Sequence, residues 1–299
     1  MQVWINGEFI DGDEAKVSVF DSGLQHGVGL FETMSGRHGR VFRADAHMTM
    51  LVESARELLL TERLRPCPLA EAVQLTVERN GLEEARIRLT MTGGAITAAG
   101  SADAEGKSVD PTIVITAQPP TVYPDAFFEK GVIVTIADGR LNPLDPMAGH
   151  KTLDYWARIR ALQVAAARGA GEAMWFTVSN HLASGSVSNV VLVQDDELLT
   201  PIARGEEPEG ALRAPVRPGV TRAAVLDLAR RMGLEASTRM LDIDALLGAE
   251  EVFLTNSSWG ILPITGVEHE KIGDGSVGPV TADLRAAWLE LVESETGGK

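Results

Sequence analysis

The chain has 299 residues and a formal net charge of −15, which allows one large domain or two medium ones and argues against a nucleic-acid partner, since that binding depends on basic surface. Hydrophobic residues make up 44% of it, an ordinary globular composition, and with no apolar run of about 18 residues no membrane span is expected. A single cysteine, Cys67, excludes an internal disulfide, and the stretch Met1 to Gly7 lacks the charged and apolar regions of a secretory signal, so a cytoplasmic location is expected. Cys67 stands between Pro66 and Pro68 and is expected in a loop.

In chain order, Val3-Trp4-Ile5 and Glu8-Phe9-Ile10 flank Asn6-Gly7, a strong hairpin signal. Lys16 to Phe20 reads as a third short strand. Gly27 and Gly29 then permit close backbone approach ahead of a strand at Phe31-Glu32-Thr33-Met34. Apolar residues recur at helical spacing from Asp45 to Leu60, and a second helix is expected over Leu69 to Arg79, stopped by Asn80-Gly81. Ala85 to Thr92 alternates, with Arg86 and Arg88 on one face and Ile87 and Leu89 on the other. Gly93 to Asp110 reads as a mobile loop and Pro111 to Ala117 as a buried strand. Gln118-Pro119-Pro120 is the best linker signal, which gives a small N-terminal domain at 1–118, a linker at 119–121 and a larger domain at 122–299.

The second half opens with a strand at Val132 to Ala137 and continues through a helix-like run from Leu153 to Gly169. Strands are expected at Ala173 to Thr177, Val190 to Val193 and Leu198 to Pro201. Ile202 to Val216 reads as an exposed excursion. A helix runs from Gly219 to Met232, a strand at Val252 to Thr255 enters Asn256-Ser257-Ser258, and Leu284 to Glu293 is a terminal helix. Strand runs dominate with a few helices in each half, so the fold class is α+β.

Chemistry enters at Gly149-His150-Lys151-Thr152-Leu153-Asp154-Tyr155. Lys151 lies between a Pro- and Gly-rich loop and the helix-like run, an arrangement that can hold an amine against an aldehyde cofactor, pyridoxal 5'-phosphate (PLP), as a Schiff base. An ordinary solvated lysine is the alternative. Such a cofactor needs a phosphate cup. Gly219-Val220-Thr221-Arg222 opens a helix whose free amides suit an anion, and Thr255-Asn256-Ser257-Ser258 is a second turn rich in hydroxyls and amides. Plain capping is the alternative for both. His150 is either a proton relay or a loop histidine. His181 and His269 have no metal-ligand spacing, and no metal site is expected.

The ordered series of landmarks resembles the class IV aminotransferase family, the PLP enzymes of fold type IV, which includes branched-chain and D-amino acid aminotransferases and 4-amino-4-deoxychorismate lyases. The resemblance runs from Asn6-Gly7 through Asp21, Gly27, Gly29 and Phe31-Glu32-Thr33, His47 with Leu51, Ser54 and Ala55, and Ala85 to Thr92. It continues with Lys151 to Tyr155, Gly169 to Ala173, Gly185-Ser186, Ser188-Asn189, Thr200-Pro201, Gly219 to Arg222 and Glu251 to Pro263. It implies a small N-terminal domain, a larger C-terminal pseudo-barrel domain, PLP as cofactor and a homodimer acting on a small amino acid and keto acid pair. It implies Lys151 as Schiff-base residue and general acid/base, and Tyr155 near the cofactor's ring hydroxyl. Ser184, Ser188 and Asn189 would lie beside the cofactor, and Val220, Thr221 and Ser257 would hold its phosphate. His26, Phe31, Arg88 and Ser258 would line the substrate pocket.

Two positions depart from the family pattern. An arginine that grips the phosphate is expected three residues after His47, where this chain has Met50. A glutamate that pairs with the pyridine nitrogen is expected just before Gly185, where this chain has Ser184. Losing the first removes a charge-assisted contact of roughly 1.5–3 kcal/mol, for which Arg43, Arg86 or Arg222 would have to compensate. Losing the second leaves the ring neutral and a weaker electron sink. Three readings follow: an aminotransferase, a lyase of the aminodeoxychorismate type, which tolerates a weaker sink, and a non-catalytic member that keeps only the fold.

Overall fold

The computed structural model describes residues 1–95 and 110–297; most of the loop expected at 93–110 lies outside them. The chain divides into two compact units. The first is Met1–Thr121 with Lys151–Asp154 and Val292–Lys299, and the second is Val122–His150 with Tyr155–Leu291.

The first unit contains β1 (Gln2–Ile5), β2 (Glu8–Asp11), α1 (Ser22–His26), β3 (Gly29–Arg37), β4 (Arg40–Val41), α2 (Ala44–Glu57), α3 (Pro66–Arg79), β5 (Ala85–Thr92) and β6 (Ile113–Gln118). Its strands form an antiparallel sheet in the order β2-β1-β6-β5-β3-β4. Asn6 and Gly7 both take positive φ, 48° and 105°, which is what the expected two-residue hairpin turn requires. Helices α2 and α3 bury Met48, Leu51, Val52, Ala55, Val73 and Val77 against Ile87, Leu89, Met91 and Ile115 of the sheet. The alternation in β5 therefore leaves Arg86 and Arg88 on the other face. The buried carboxylate of Asp21 caps α1 through the amide of Gly23 at 2.7 Å and accepts the hydroxyls of Thr92 and Thr112, each at 2.8 Å. That ties the start of α1 to the end of β5 and the residue before β6.

Two expectations for this unit fail. Lys16 to Phe20 is not a strand: its alternating residues find no partner strand, and Val19 and Phe20 are exposed. β-propensity without a packed face does not make a strand. Cys67 is not in a loop but in the first turn of α3, exposed. Pro66 and Pro68 open that helix where a missing N–H breaks no intrahelical bond.

The second unit contains α4 (Ala126–Glu129), β7 (Val132–Leu141), α5 (Trp156–Ala167), β8 (Glu172–Thr177), β9 (Leu182–Gly185), β10 (Asn189–Gln194), β11 (Glu197–Pro201), α6 (Val220–Arg231), β12 (Glu235–Arg239), α7 (Ile243–Leu247), β13 (Glu251–Asn256), β14 (Gly260–Val267), β15 (Glu270–Lys271) and most of α8, which spans Pro279–Thr296. The sheet order is β12-β11-β10-β13-β14-β7-β8-β9, with β15 on β14. The last strand, β9, also comes back beside β10 and β11, so the sheet curls into a partial barrel. Val134, Met174, Val190, Leu192, Leu254 and Leu262 fill it.

The helix expected from Leu153 begins only at Trp156, because the residues before it pair with a strand instead. The amide of Phe31 donates to the carbonyl of Lys151 at 2.9 Å, the amide of Leu153 donates to the carbonyl of Gly29 at 3.0 Å, and Leu30 bridges to Thr152. Strands β9, β12 and β14 and helix α7 had no sequence signal. The segment Ile202 to Val216 is exposed in its middle only, with Ala203 and Val216 buried at its ends.

Gly29 makes the pairing of Lys151 possible. Its φ is +151°, and a Cβ there would run into the carbonyl oxygen of Met91 and come within 2.7 Å of Leu153 Cδ1. Gly29→Ala is expected to cost about 3 kcal/mol or more, the sum of backbone strain and overpacking, read as a fall in the urea midpoint at unchanged slope.

Candidate active site

In the first unit, Lys151 is half-buried, and its Nζ lies 5.0 Å from the centre of the Phe31 ring. The guanidinium of Arg88 stacks on the same ring at 3.4 Å. β3 supplies the phenylalanine, β5 the arginine and the 151–154 pairing the lysine, so main-chain ladders set the mutual position of two cations and an aromatic ring. Next to Phe31 in sequence, Glu32 turns inward and meets His47 of α2, Oε2 to Nδ1 at 3.0 Å, with both residues buried. His26, expected to line a substrate pocket, is the exposed last residue of α1. Met50 is partly exposed on α2.

In the second unit, Tyr155 caps α5, and its hydroxyl donates to the carbonyl of Ser186 at 2.6 Å. Three residues on, and so on the same side of the helix, Arg158 points to the same place. Its Nη1 donates to Ser184 Oγ at 3.3 Å, to the Gly185 carbonyl at 3.0 Å and to the Ser186 carbonyl at 3.3 Å. Trp175 Nε1 donates to Ser186 Oγ at 2.9 Å. Glu172, fully buried on β8, accepts from the amides of Ala173 and Val187 and from Ser188 Oγ. Burial pushes its carboxyl above the ordinary range, against the pull of those hydrogen bonds. Sequence reading singled out neither Arg158 nor Glu172 as a site residue; the i, i+3 spacing of Arg158 from Tyr155 was the available signal for the first.

The turn after Ser184 is also linked to the phosphate-cup candidates. Asn189 Nδ2 donates to the Arg217 carbonyl at 2.8 Å, and Asn256 Nδ2 donates to the Val187 carbonyl at 3.3 Å. Asn256 Oδ1 in turn accepts the amides of Ser258 and Trp259, shaping the Ser257-Ser258 turn. The second unit thus brings together Tyr155, Ser184, Ser188, Asn189, Val220, Thr221, Ser257 and Ser258 through one connected set of elements.

Helix α6 starts at N-cap Gly219 with no side-chain cap, and Val220 and Thr221 are buried in its first turn. Gly219 fits because a Cβ would collide with Asn189 Oδ1. The buried hydroxyl of Thr255, at the end of β13, has no hydrogen-bond partner. First-turn amides without a cap and an orphaned hydroxyl are what a phosphate ester would satisfy.

Arg222, one of the cations expected to compensate for Met50, is engaged elsewhere. It is 2% exposed and its guanidinium is occupied by Glu206, at 2.7 and 2.8 Å, by Thr200 Oγ1 and by the Pro201 carbonyl. Arg43 is likewise engaged, in a two-pronged pair with Glu295. Among the described residues no group of three or more His, Cys, Asp or Glu could hold a metal, and no helix is long and apolar enough to cross a membrane.

Comparison with known proteins decides the lineage. The family model for amino-transferase class IV matches residues 29–267. This chain belongs to the class IV aminotransferase family. The branched-chain-amino-acid aminotransferase of Escherichia coli K12 is 28% identical over 304 residues, covering 99% of this chain and 94% of its own. A crystal structure of the E. coli enzyme matches with a TM-score of 0.88 at 26% identity, over 100% of this chain and 96% of that one. The T.th. branched-chain amino acid aminotransferase, solved with pyridoxamine 5'-phosphate, matches at 0.86, 26% identical, over 98% and 94% of the two chains. The 4-amino-4-deoxychorismate lyase of Pseudomonas aeruginosa matches at 0.80, 27% identical, over 98% of each. The fold is fold type IV, and the protein is a PLP-dependent enzyme of the aminotransferase kind.

The Arg222–Glu206 pair anchors the start of α6, and its removal has two expected effects. Arg222→Met removes the charged hydrogen bonds to Glu206, whose carboxylate stays in reach of water, and is expected to cost about 1.5–3 kcal/mol in chemical denaturation. Partial desolvation of Glu206 opposes its charge, but Arg222 and the Ala203 amide outweigh that and hold the carboxyl below the ordinary range of a glutamate. A folded-state pKa below the unfolded one gives stability that is complete above the unfolded value, about pH 4.3, and is lost as pH falls through the folded value. Glu206→Gln is therefore expected to flatten the acid limb of a stability-versus-pH curve and leave its alkaline limb unchanged.

Proposed function

We propose that the enzyme exchanges the amino group of a small amino acid with a keto acid, with Lys151 as the residue that condenses with PLP and then moves the proton at the substrate's α-carbon. The observation that carries this is the fixed placement of the Lys151 amine, on a segment hydrogen-bonded to β3 and over the ring of Phe31. PLP, when bound, supplies the aldehyde for the amine and a conjugated ring that takes up negative charge. Val220 and Thr221 hold its phosphate through their amides, helped by the hydroxyl of Ser257, and Tyr155, Ser184, Ser188 and Asn189 border its ring. Phe31, Arg88, His26 and Ser258 shape the substrate end, Arg88 as a cation for a substrate carboxylate. The names of the relatives make branched-chain amino acids the first donors to try. The enzyme works as a cytoplasmic homodimer, which light scattering checks at twice the chain mass.

Ser184 favours a second reading, a lyase of the aminodeoxychorismate kind, because elimination tolerates a weaker electron sink. Release of pyruvate from that substrate with no amino acceptor present separates it from transamination.

The reading is tested by spectrum and by mapping. Protein with added PLP is expected to absorb near the visible edge, and borohydride reduction should fix the label on the peptide that carries Lys151. Lys151→Ala should lose both signals; a label on any other lysine overturns the assignment. Restoring the family's cation is a separate test. Met50→Arg is expected to tighten PLP binding about ten- to a hundredfold, the equivalent of roughly 1.5–3 kcal/mol, measured by fluorescence titration.

A further inference from the structure

We infer that Arg158 is a positioning residue for Ser184: it fixes which way the serine hydroxyl points and so keeps the pyridine nitrogen of bound PLP unprotonated. The inference rests on the cofactor reading above and goes beyond the replacement at position 184, because it names the group that sets the nitrogen's proton.

A hydroxyl has one donor and two acceptor sites. Arg158 Nη1 donates to Ser184 Oγ at 3.3 Å. Arginine has no acceptor, so the serine proton cannot point back along that contact. Arg158 is itself held by the Gly185 and Ser186 carbonyls and lies 5.8 and 5.4 Å from the ring centres of Tyr155 and Trp175. Its charge is therefore fixed in place. The Ser184 hydroxyl is left to donate away from the guanidinium, and a nitrogen that receives a proton from it must offer its lone pair.

Charge points the same way. A protonated pyridine would put a second cation against an oxygen that already receives one, and like charges disfavour ionisation. The carboxylate that reaches this hairpin, Glu172, does not offset this. It faces Val187 and Ser188 rather than Ser184, and burial favours its neutral form. Tyr155, also beside this turn, points its hydroxyl to the Ser186 carbonyl.

The test is 15N NMR of protein reconstituted with PLP labelled at the ring nitrogen, recorded from about pH 6 to about pH 9, a window that brackets neutral solution. The wild-type resonance is expected at the position of a hydrogen-bonded, unprotonated pyridine and should not move with pH. In Ser184→Ala, which deletes only a hydroxyl, it should shift toward free pyridine. In Arg158→Met, with folding checked by melting, the nitrogen should become titratable within the pH range, and Arg158→Lys should restore the wild-type behaviour in part. A purely structural role for Arg158 would leave the nitrogen's protonation unchanged in Arg158→Met, and that result overturns the inference. So does a protonated nitrogen in the wild type, with the cofactor reading intact. Protein that retains no labelled cofactor at all overturns the cofactor reading instead.

Discussion

Two main-chain hydrogen bonds determine where the Lys151 amine can be: Phe31 N–H to Lys151 C=O and Leu153 N–H to Gly29 C=O. They make the 151–153 segment a short extra partner for the first residues of β3, and the lysine inherits the rigidity of a sheet. Much else in the first unit serves that junction. Gly29 supplies the backbone shape that no other residue adopts cheaply. Asp21 holds α1 against the ends of β5 and β6. Glu32 and His47 anchor the alternate side of β3 to α2. A flexible four-carbon side chain on a rigid backbone can place its amine reproducibly while still moving it by the small distance that proton transfer requires.

The sequence made legible whatever local chemistry decides. The Asn6-Gly7 hairpin needed only two residues that tolerate positive φ. The presence of α2 and α3 and the bounds of β5 followed from apolar spacing, because each of those elements buries one face against the other two, while α2 ends three residues earlier and α3 begins three residues earlier than that spacing alone gives. Apart from Cys67, which two prolines place in the first turn of α3, the failures turn on whether a partner distant in sequence is present. Lys16 to Phe20 has the composition of a strand but no neighbour to bond to. Leu153 to Tyr155 has the spacing of a helix, but β3 offers its backbone a better ladder. Strand β14 is hard to see because partners on both sides remove the polar alternation that marks a half-exposed strand, and it is buried along most of its length; the edge strand β12, paired only with β11, has a single apolar residue, Ala236, and β9 has only four residues.

The same divide runs through the candidate site. The ordered motif series pointed to Lys151, Tyr155 and the Gly219 to Arg222 helix start. Roles that depend on which atom meets which could not be read. Arg222 stood out as a cation beside the phosphate-cup candidate, yet it closes on Glu206, a residue in a segment that reads as exposed excursion. Arg158 looked like one more polar residue on a helix, yet it reaches three consecutive residues of β9 and the turn that follows. A charged side chain declares its role only when its counter-group is known, and the counter-groups here are a loop carboxylate and a set of carbonyls.

The two departures from the family pattern are better understood together than singly. Met50 removes a positive charge and Ser184 removes a negative one, so the formal charge offered to an anionic cofactor is unchanged. What changes is where it acts. The guanidinium of Arg158 reaches Ser184 and the carbonyls that follow it, while in the proposed site the phosphate would rest on uncapped helix amides and hydroxyls, which are neutral. Neutral donors weaken the grip on the phosphate. A hydroxyl in place of a carboxylate would lower the ring's capacity to accept electrons. In the proposed mechanism the second change would reduce the stabilisation of charge on the ring and leave the amine of Lys151 a larger share of the work at the substrate's α-carbon. That division of labour is the physical ground on which the amino-transfer and elimination readings differ.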